Sequence, residues 1–545
     1  ANYVENLQPN QANAGVLTGP AQQAATILEP VTSPGISEEG RFAAAYPLAD
    51  GTSRVLVSWS PCRVTINGEN LQCTPENLAD PLALEAHPAY GIWNYDMNEG
   101  TLAPVVLPQD GILMTDVAVA YPRTLPAVIP DLVPGVDVDA AFAAEGVGVL
   151  HVRSVYDEDG VDTAIPDIAG VADPAQTTAA QRPARFVRIV KPVAIPDEDD
   201  RDFRQTAFGI SAARGMREII GYAPIEPDGS VRIKVPANIA FAVEILDANG
   251  RRTSDRHLNW LQLQAGEERE CAGCHEASSG LSHGNPDSFA SVYAGFADTG
   301  GAPFPNTDAA LWANVGETMA QVRSRLSCAL DCADMSPSVD VLFDDVWTDD
   351  SPGGANLPKD PSIAYRYADL ATTAPVIDDC ITEWLPGCRI VINYEEHIHP
   401  LWSVERLVYN PVTMLDDDHT CTVCHSNTDI ADADQVPAGQ LDLSNGYDGV
   451  VADHLKSYRE LLVGDDAQGL DDMDMLGDLN PPVAVLPSMS ANGANQSPIF
   501  FSRFDAGAGD AVHTGLLTPA ELRLLSEWLD GGAQYYNDPF QAPLN

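Results

Sequence analysis

Cys271-Ala272-Gly273-Cys274-His275 and Cys421-Thr422-Val423-Cys424-His425 are two places in the chain where residue type and spacing define a chemistry. Two thiols three positions apart add across the two vinyl groups of a haem, and the histidine that follows offers its imidazole to the iron. A shorter or longer gap would misplace one of the three groups. With 10 Cys and 11 His among 545 residues, chance would supply roughly 0.004 such motifs, so finding two is decisive as a pattern. A thioredoxin-like redox pair would need a βαβ setting, and a zinc ribbon would need its second Cys-x-x-Cys close by, whereas these motifs lie about 150 residues apart. The expected cofactors are therefore two covalently bound haem c groups, with His275 and His425 as proximal iron ligands.

The sixth ligands are less tightly fixed by sequence. For the second haem, His513 lies just ahead of a well-marked helix start, and His397 is its rival because it precedes the motif on a segment able to fold over the ring. For the first haem, His283 follows His275 by eight residues and precedes Gly284, and His257, His397 and His399 stay open as alternatives. The methionines at 473, 475 and 489 sit in acidic or polar loops. His87, His151, His419 and His454 read as surface residues, and Trp260, Trp402 and Trp528 as core packing.

The remaining cysteines fall into near neighbours, Cys62 with Cys73, Cys328 with Cys332 and Cys380 with Cys388. An even count of close pairs is the signature of disulfides in an oxidising compartment. The first pair encloses Asn67-Gly68, a hairpin turn signal.

The elements that must hold these motifs read as follows. Strands are expected at Arg54–Trp59, Tyr90–Tyr95 and Pro104–Leu107, with a turn at Asn98-Glu99-Gly100, in a layout resembling propeller blades or a small sandwich. After a Pro-rich crossing at 122–134, strands follow at 148–156 and 185–195. From Ile219 to Gly266 the alternation predicts a compact antiparallel unit with strands at 222–225, 231–235, 241–246 and 258–263. The first motif is expected next, on a short helical turn. One amphipathic helix is expected at 315–330, a strand at 390–393, and helices at 451–462 and 519–529. The last opens with Thr518 as cap, Pro519 in the first turn and Glu521 closing a capping box. The fold class is α+β: β-rich N-terminal and middle domains, then a mostly helical cytochrome c-like C-terminal domain. The divisions are an N-terminal arm at 1–35, a β-rich domain at 36–180, an antiparallel β domain at 181–290, a disulfide-containing mixed or helical segment at 291–388 and a cytochrome-like unit at 389–545.

Composition bounds the partners. A net charge of -50, from 79 acidic and 29 basic residues, argues against nucleic acid or an anionic membrane surface and suits a solvated acidic face in salty surroundings. Some acidic runs could hold Ca²⁺, although no 12-residue calcium loop is present. No stretch is long and apolar enough to be a membrane span. The sequence reads as a mature, exported chain of the periplasm or exterior, with redox partner proteins. The polar N-terminal arm is expected to clasp a neighbour, giving a homo-oligomer or a haem-bearing filament.

The run Gly221 to Val231, then Val235-Pro236-Ala237-Asn238, Leu246-Asp247-Ala248, Trp260 and the first motif, resembles the haem-bearing core of the hydrazine synthase alpha subunit family. His513-Thr514-Gly515-Leu516-Leu517-Thr518 and the closing Trp528 to Ala533 are similar to that family's C-terminal dihaem portion. The resemblance runs over about residues 40–545. It implies one haem in the middle domain and one in the C-terminal domain, with His513 at the position of a bis-histidine partner. The synthase places a tyrosine one turn beyond the first haem's histidine, and Ser279 stands there in this chain. Electron transfer by a dihaem cytochrome is accordingly the leading expectation. The alternative is a haem enzyme acting on a small nitrogen or oxygen compound at the first haem.

Overall fold

The computed structural model describes residues 35–109, 111–120, 131–276, 289–505, 510 and 512–545, together with the backbone of the paired strands Asn2–Val4 and Gln22–Ala24. Most of the expected N-terminal arm and of the Pro-rich crossing, with Ser279 and His283, lies outside the described residues. The chain divides into two compact units, one of residues 1–131 with 278–280 and one of 132–277 with 281–545.

In the first unit, β1 (Arg41–Pro47), β2 (Arg54–Ser60), β3 (Gly91–Asp96) and β4 (Thr101–Val106) form an antiparallel meander. Alternation turns Val55, Val57 and Tyr95 inward, while Trp59 and Trp93 meet edge to face at 5.0 Å. Beside it, Arg63–Ile66 and Glu69–Gln72 pair through the expected turn. Asn67 and Gly68 both take positive φ, 52° and 86°, as a two-residue turn matched to strand twist requires. The Cys62–Cys73 disulfide closes this hairpin, and Cys328–Cys332 and Cys380–Cys388 are bridged as well.

The second unit is built on two three-stranded sheets. In one, β5 (Val147–Val152) lies between β8 (Val231–Pro236), antiparallel, and β10 (Glu268–Cys271), parallel. In the other, β6 (Phe186–Pro192) lies between β7 (Arg217–Pro224) and β9 (Ala242–Leu246), both antiparallel. The central strands are buried continuously, Val147–His151 in β5 and Phe186–Val190 in β6, whereas the edge strand β10, Glu268-Arg269-Glu270-Cys271, is buried only at Cys271. Three expectations shift here. Residues 258–263 form no strand: Leu261 makes a single bridge to Phe241, and Leu263 O accepts from Asn238 N at 2.8 Å. Ile390 likewise makes one bridge, to Ile219, rather than starting a strand. The first motif starts at the end of strand β10, where Cys271 still belongs to the ladder, and no helical turn forms under it.

Helix α1 (Met319–Ser327) is shorter than expected, because Thr318 and Gln321 form a capping box that fixes its start. From 389 onward the chain is less helical than expected. Helices α2 (Cys421–Cys424), α3 (Lys456–Leu462) and α4 (Pro519–Gly531) alternate with hairpins at Leu407–Asp418 and Gln468–Asp478, and Asp, Gly and Pro turns interrupt the rest. The capping box of α4 is as read, with Thr518 Oγ1 accepting from Glu521 N. Among the described residues no helix is long and apolar enough to cross a membrane.

Helix α4 is buried on its polar side as well as its apolar one. Arg188 on β6 pairs with Glu244 on β9 at 2.7 Å and with Asp530 on α4 at 2.9 Å. Tyr222 on β7 and Tyr367 both donate to Glu527, at 2.5 Å and 2.7 Å, and Arg523 pairs with Glu527 at 2.7 Å. One apolar core runs from Val147 through Ile189, Ile233 and Phe241 to Trp402, Tyr458 and Trp528. The two haem motifs are therefore carried by elements that share one interior.

Two histidines read as surface residues are buried. His151 on β5 holds Glu270 through Nδ1 at 2.9 Å and the Thr318 hydroxyl through Nε2 at 3.2 Å. His454 lies among Tyr458 and Tyr535 with Nε2 on the Thr206 carbonyl at 2.7 Å. Burial is the largest influence on each and pushes its pKa down, so both rings are neutral in the folded chain. The unfolded chain then takes up these protons first as pH falls. The stability contribution is complete above an ordinary histidine pKa, about 6.5, and is lost as pH drops from there toward the depressed folded values. Urea unfolding at pH 7.5 and pH 5.5 is expected to show a fall of at most about 1.4 kcal/mol per pH unit for each ring. His151→Gln and His454→Gln should each flatten it, and equal pH slopes in both variants and the wild type would contradict the assignment.

Candidate functional site

The first motif is stitched to the loop that follows β5. Arg153 N donates to Cys271 O at 2.9 Å, Cys274 N to Asp157 O at 2.7 Å, and Asp159 N to Cys274 O at 3.1 Å. A β-carbon at Gly273 would lie 2.1 Å from Asp157 O, so the backbone approach requires glycine there. Gly273→Ala is expected to force strand and loop apart and to cost about 1–3 kcal/mol by overpacking. Thermal unfolding checks it: a melting temperature equal to that of the wild type would show that the contact can relax.

Cys271 is buried and Cys274 nearly so, and burial raises both thiols, that of Cys274 to about 12. His275 is exposed, with Nδ1 donating to the Glu276 carbonyl at 3.0 Å. Facing it is His257, whose ring centre lies 6.1 Å away at an interplanar angle of 83°. His257 Nδ1 is held by the Asn259 carbonyl at 2.6 Å. Its own carbonyl accepts from Arg217 Nη2 at 3.2 Å, and the Arg217 guanidinium stacks 4.9 Å from the centre of the Trp260 ring. Trp260 is thus a partly exposed platform, whereas Trp402 and Trp528 are buried as expected.

The second motif forms α2, and burial raises the Cys421 thiol against the pull of Arg406. Arg406 joins this turn to the start of α4. Its backbone N donates to Thr420 Oγ1 at 3.2 Å, and its guanidinium reaches Glu521 at 2.7 Å and Leu516 O at 2.8 Å. His425 Nδ1 lies 3.2 Å from the Leu441 carbonyl. Burial, and after it the neighbouring His513 among other groups, depresses the His425 pKa despite that bond. The His513 ring centre is 6.1 Å from that of His425 at 45°, and His513 Nδ1 rests on Asp510 at 2.9 Å.

The remaining candidate histidines are engaged differently. His397 Nδ1 lies 3.0 Å from Asn393 N and 3.2 Å from the Asn393 carbonyl, so Asn393 holds the buried ring inside the tight turn Tyr394–Ile398. His399 uses both nitrogens, on Ser457 at 2.9 Å and Asn445 at 2.7 Å. Among the described ring contacts neither meets His425. Met473 and Met475 are exposed and Met489 is buried.

The arrangement can be tested for its fit to haem. Two imidazoles bound through Nε2 to one metal at about 2 Å each put their ring centres roughly 6 Å apart. Both pairs show that spacing. In all four rings Nδ1 faces an oxygen acceptor, which places its proton there, the tautomer that ligates through Nε2. The four motif cysteines are unbridged while the other six are paired. The residues fit haem at both motifs. Arg406, Arg217 and Asp510 were all missed in the sequence; only Asp510, three residues before His513, left a local signal by which it could have been found.

Residues 184–276, from the strand β6 region through one residue past His275, match the family model of the hydrazine synthase alpha subunit middle domain. Among solved structures, Kuenenia stuttgartiensis hydrazine synthase is similar with a TM-score of 0.46 and 16% identity, over 95% of this chain and 57% of that one. The chain thus spans a little over half the length of that structure's chain. No curated protein matches it.

Proposed function

We propose that this relative of the hydrazine synthase alpha subunit is a two-haem redox protein. Its first haem, on Cys271, Cys274 and His275, would act on a small nitrogen or oxygen compound, and its second, on Cys421, Cys424 and His425, would carry electrons to or from it. The observation that carries the reading is the middle-domain match, which ends on the first motif. It favours an enzyme over a pure carrier. A bound haem would supply an iron that changes oxidation state and takes a small ligand. The chain's own part would be to hold the group through the two cysteines of each motif and to orient the motif histidine through the bond at its Nδ1. The two sites differ in support: His513 rests on a carboxylate, while His257 rests on a carbonyl of its own loop. A ring held by a neutral carbonyl is held more weakly than one held by a carboxylate and gives way more readily to a substrate.

A second reading, electron transfer alone, is favoured by the His257–His275 spacing, which would fill both axial positions of the first iron. The closed disulfides support export to the periplasm or exterior, where oligomeric assembly with redox partners would follow. One experiment tests the reading. Denatured chain should stain for two covalent haems, and the reduced native protein should bind carbon monoxide at one of them. Absence of covalent haem would refute the proposal, and two haems both refusing carbon monoxide would leave the carrier reading in its place.

A further inference from the structure

With 79 acidic and 29 basic residues, this chain has carboxylates enough to pair every cation more than twice over. Yet a cavity of about 610 Å³ is lined by Arg214, Arg252 and Arg256, with Asp255 the one carboxylate among its lining residues. Arg214 gives its guanidinium to the Ala491 carbonyl and the Asn492 side-chain oxygen, both neutral. Arg256 likewise reaches only backbone carbonyls, of Asp530 at 2.6 Å and Gly531 at 3.4 Å. Among the described residues no carboxylate lies within ion-pair distance of either. Arg252 bonds the carbonyls of Ser254 and Asn492 at 2.8 Å and 2.9 Å, its Nε stands 3.7 Å from Glu244, and that buried nitrogen has no hydrogen-bond partner. Glu244 is already committed to Arg188 at 2.7 Å. Burial, and then the charge of Arg252, hold Arg214 below its usual range.

Three guanidinium groups around a space this large, in a strongly acidic protein, repel one another unless an anion joins them. A neighbouring cavity of about 10 Å³, lined by Arg188 and Arg217, has room for about one water and none for a polyatomic ion. The larger one has room for a polyatomic ion. Guanidinium forks match oxyanions in pairs of parallel hydrogen bonds.

We propose that the cavity lined by Arg214, Arg252 and Arg256 is a binding site for a small, multiply charged oxyanion of the phosphate or sulfate class. The ion bridges the three arginines and ties the 252–256 segment to the 491–496 loop. The site stands whether or not the haem reading does.

Calorimetric titration of the full haem-loaded chain with inorganic phosphate and with sulfate, against chloride at matched ionic strength, tests this directly. One saturable site is expected for the divalent ions and none for chloride. Arg214→Gln should weaken it at least tenfold, while Arg214→Lys, which keeps the charge but loses the fork, should weaken it less. A wild-type titration with no saturable heat beyond chloride would overturn the proposal without recourse to any variant, and so would affinity unchanged by Arg214→Gln. If phosphate does not bind and Arg214→Gln instead shifts a haem's reduction potential, the arginines serve haem carboxylates and the free-oxyanion site is refuted.

Discussion

Asp530→Ala is expected to lower stability by about 3–5 kcal/mol, the range found when one partner of a buried ion pair is removed. Arg188, Glu244 and Asp530 are 1%, 2% and 1% exposed. Asp530 Oδ2 accepts from Arg188 Nη2 and from Arg252 N, each at 2.9 Å, and Oδ1 accepts from Ala494 N at 2.9 Å. Burial opposes the Arg188 charge, and Glu244 with Asp530 overcomes that opposition and holds the guanidinium well above its usual range. Without Asp530, the guanidinium keeps a single carboxylate, and two backbone N–H groups lose their acceptor. Asp530→Asn keeps the shape but turns an amide donor toward other donors, so it should also destabilise. The exposed pair Arg54–Asp96, at 3.7 Å, is the control, and its loss should cost under about 1 kcal/mol. Urea unfolding of the three variants checks the ordering; a loss for Asp530→Ala no greater than that of the control would show that the network contributes nothing as a unit.

That network also explains which features could be read from sequence. Local chemistry was legible: the Asn67-Gly68 turn, the three disulfides and the Thr518 capping box each involve residues close in the chain. The haem motifs are local for the same reason. Long-range pairing was not. Arg188 and Asp530 are 342 residues apart, so nothing in either neighbourhood says that a helix with alternating charges will be buried on its polar side. His151 and His454 were misplaced for the same cause, since a polar residue on a strand or loop looks solvated until its partners arrive from elsewhere. The first motif's setting was missed because Cys-x-x-Cys-His suggests a helical turn, while the tertiary ladder with β5 holds Cys271 extended. Distal histidines fall between these cases. His513 carries a local cue in Asp510, whereas His257 lies 18 residues before His275 and is brought opposite it only by the 255–261 loop.

Replacing His513 and His257 should separate the two haem sites. In His513→Ala, the second iron would lose the ring 6.1 Å across from His425, so carbon monoxide should bind at a haem that is closed in the wild type, with its reduced spectrum moving toward high spin. His257→Ala should leave that second site untouched and speed carbon monoxide binding at the first by at least about tenfold, because the ring that must otherwise move aside is gone. Asp510→Asn should resemble a weak His513→Ala, since the carboxylate that holds Nδ1 also sets the ring's basicity. His397→Ala serves as the comparator: Asn393 holds its buried ring through Nδ1, His513 and not His397 faces His425, and both haem spectra should stay as they are. A spectrum indifferent to His513→Ala but altered by His397→Ala would transfer the sixth ligand to the buried turn. Wild-type protein that refuses carbon monoxide while His257→Ala accepts it would make His257 a permanent ligand, and the first haem, like the second, a carrier of electrons.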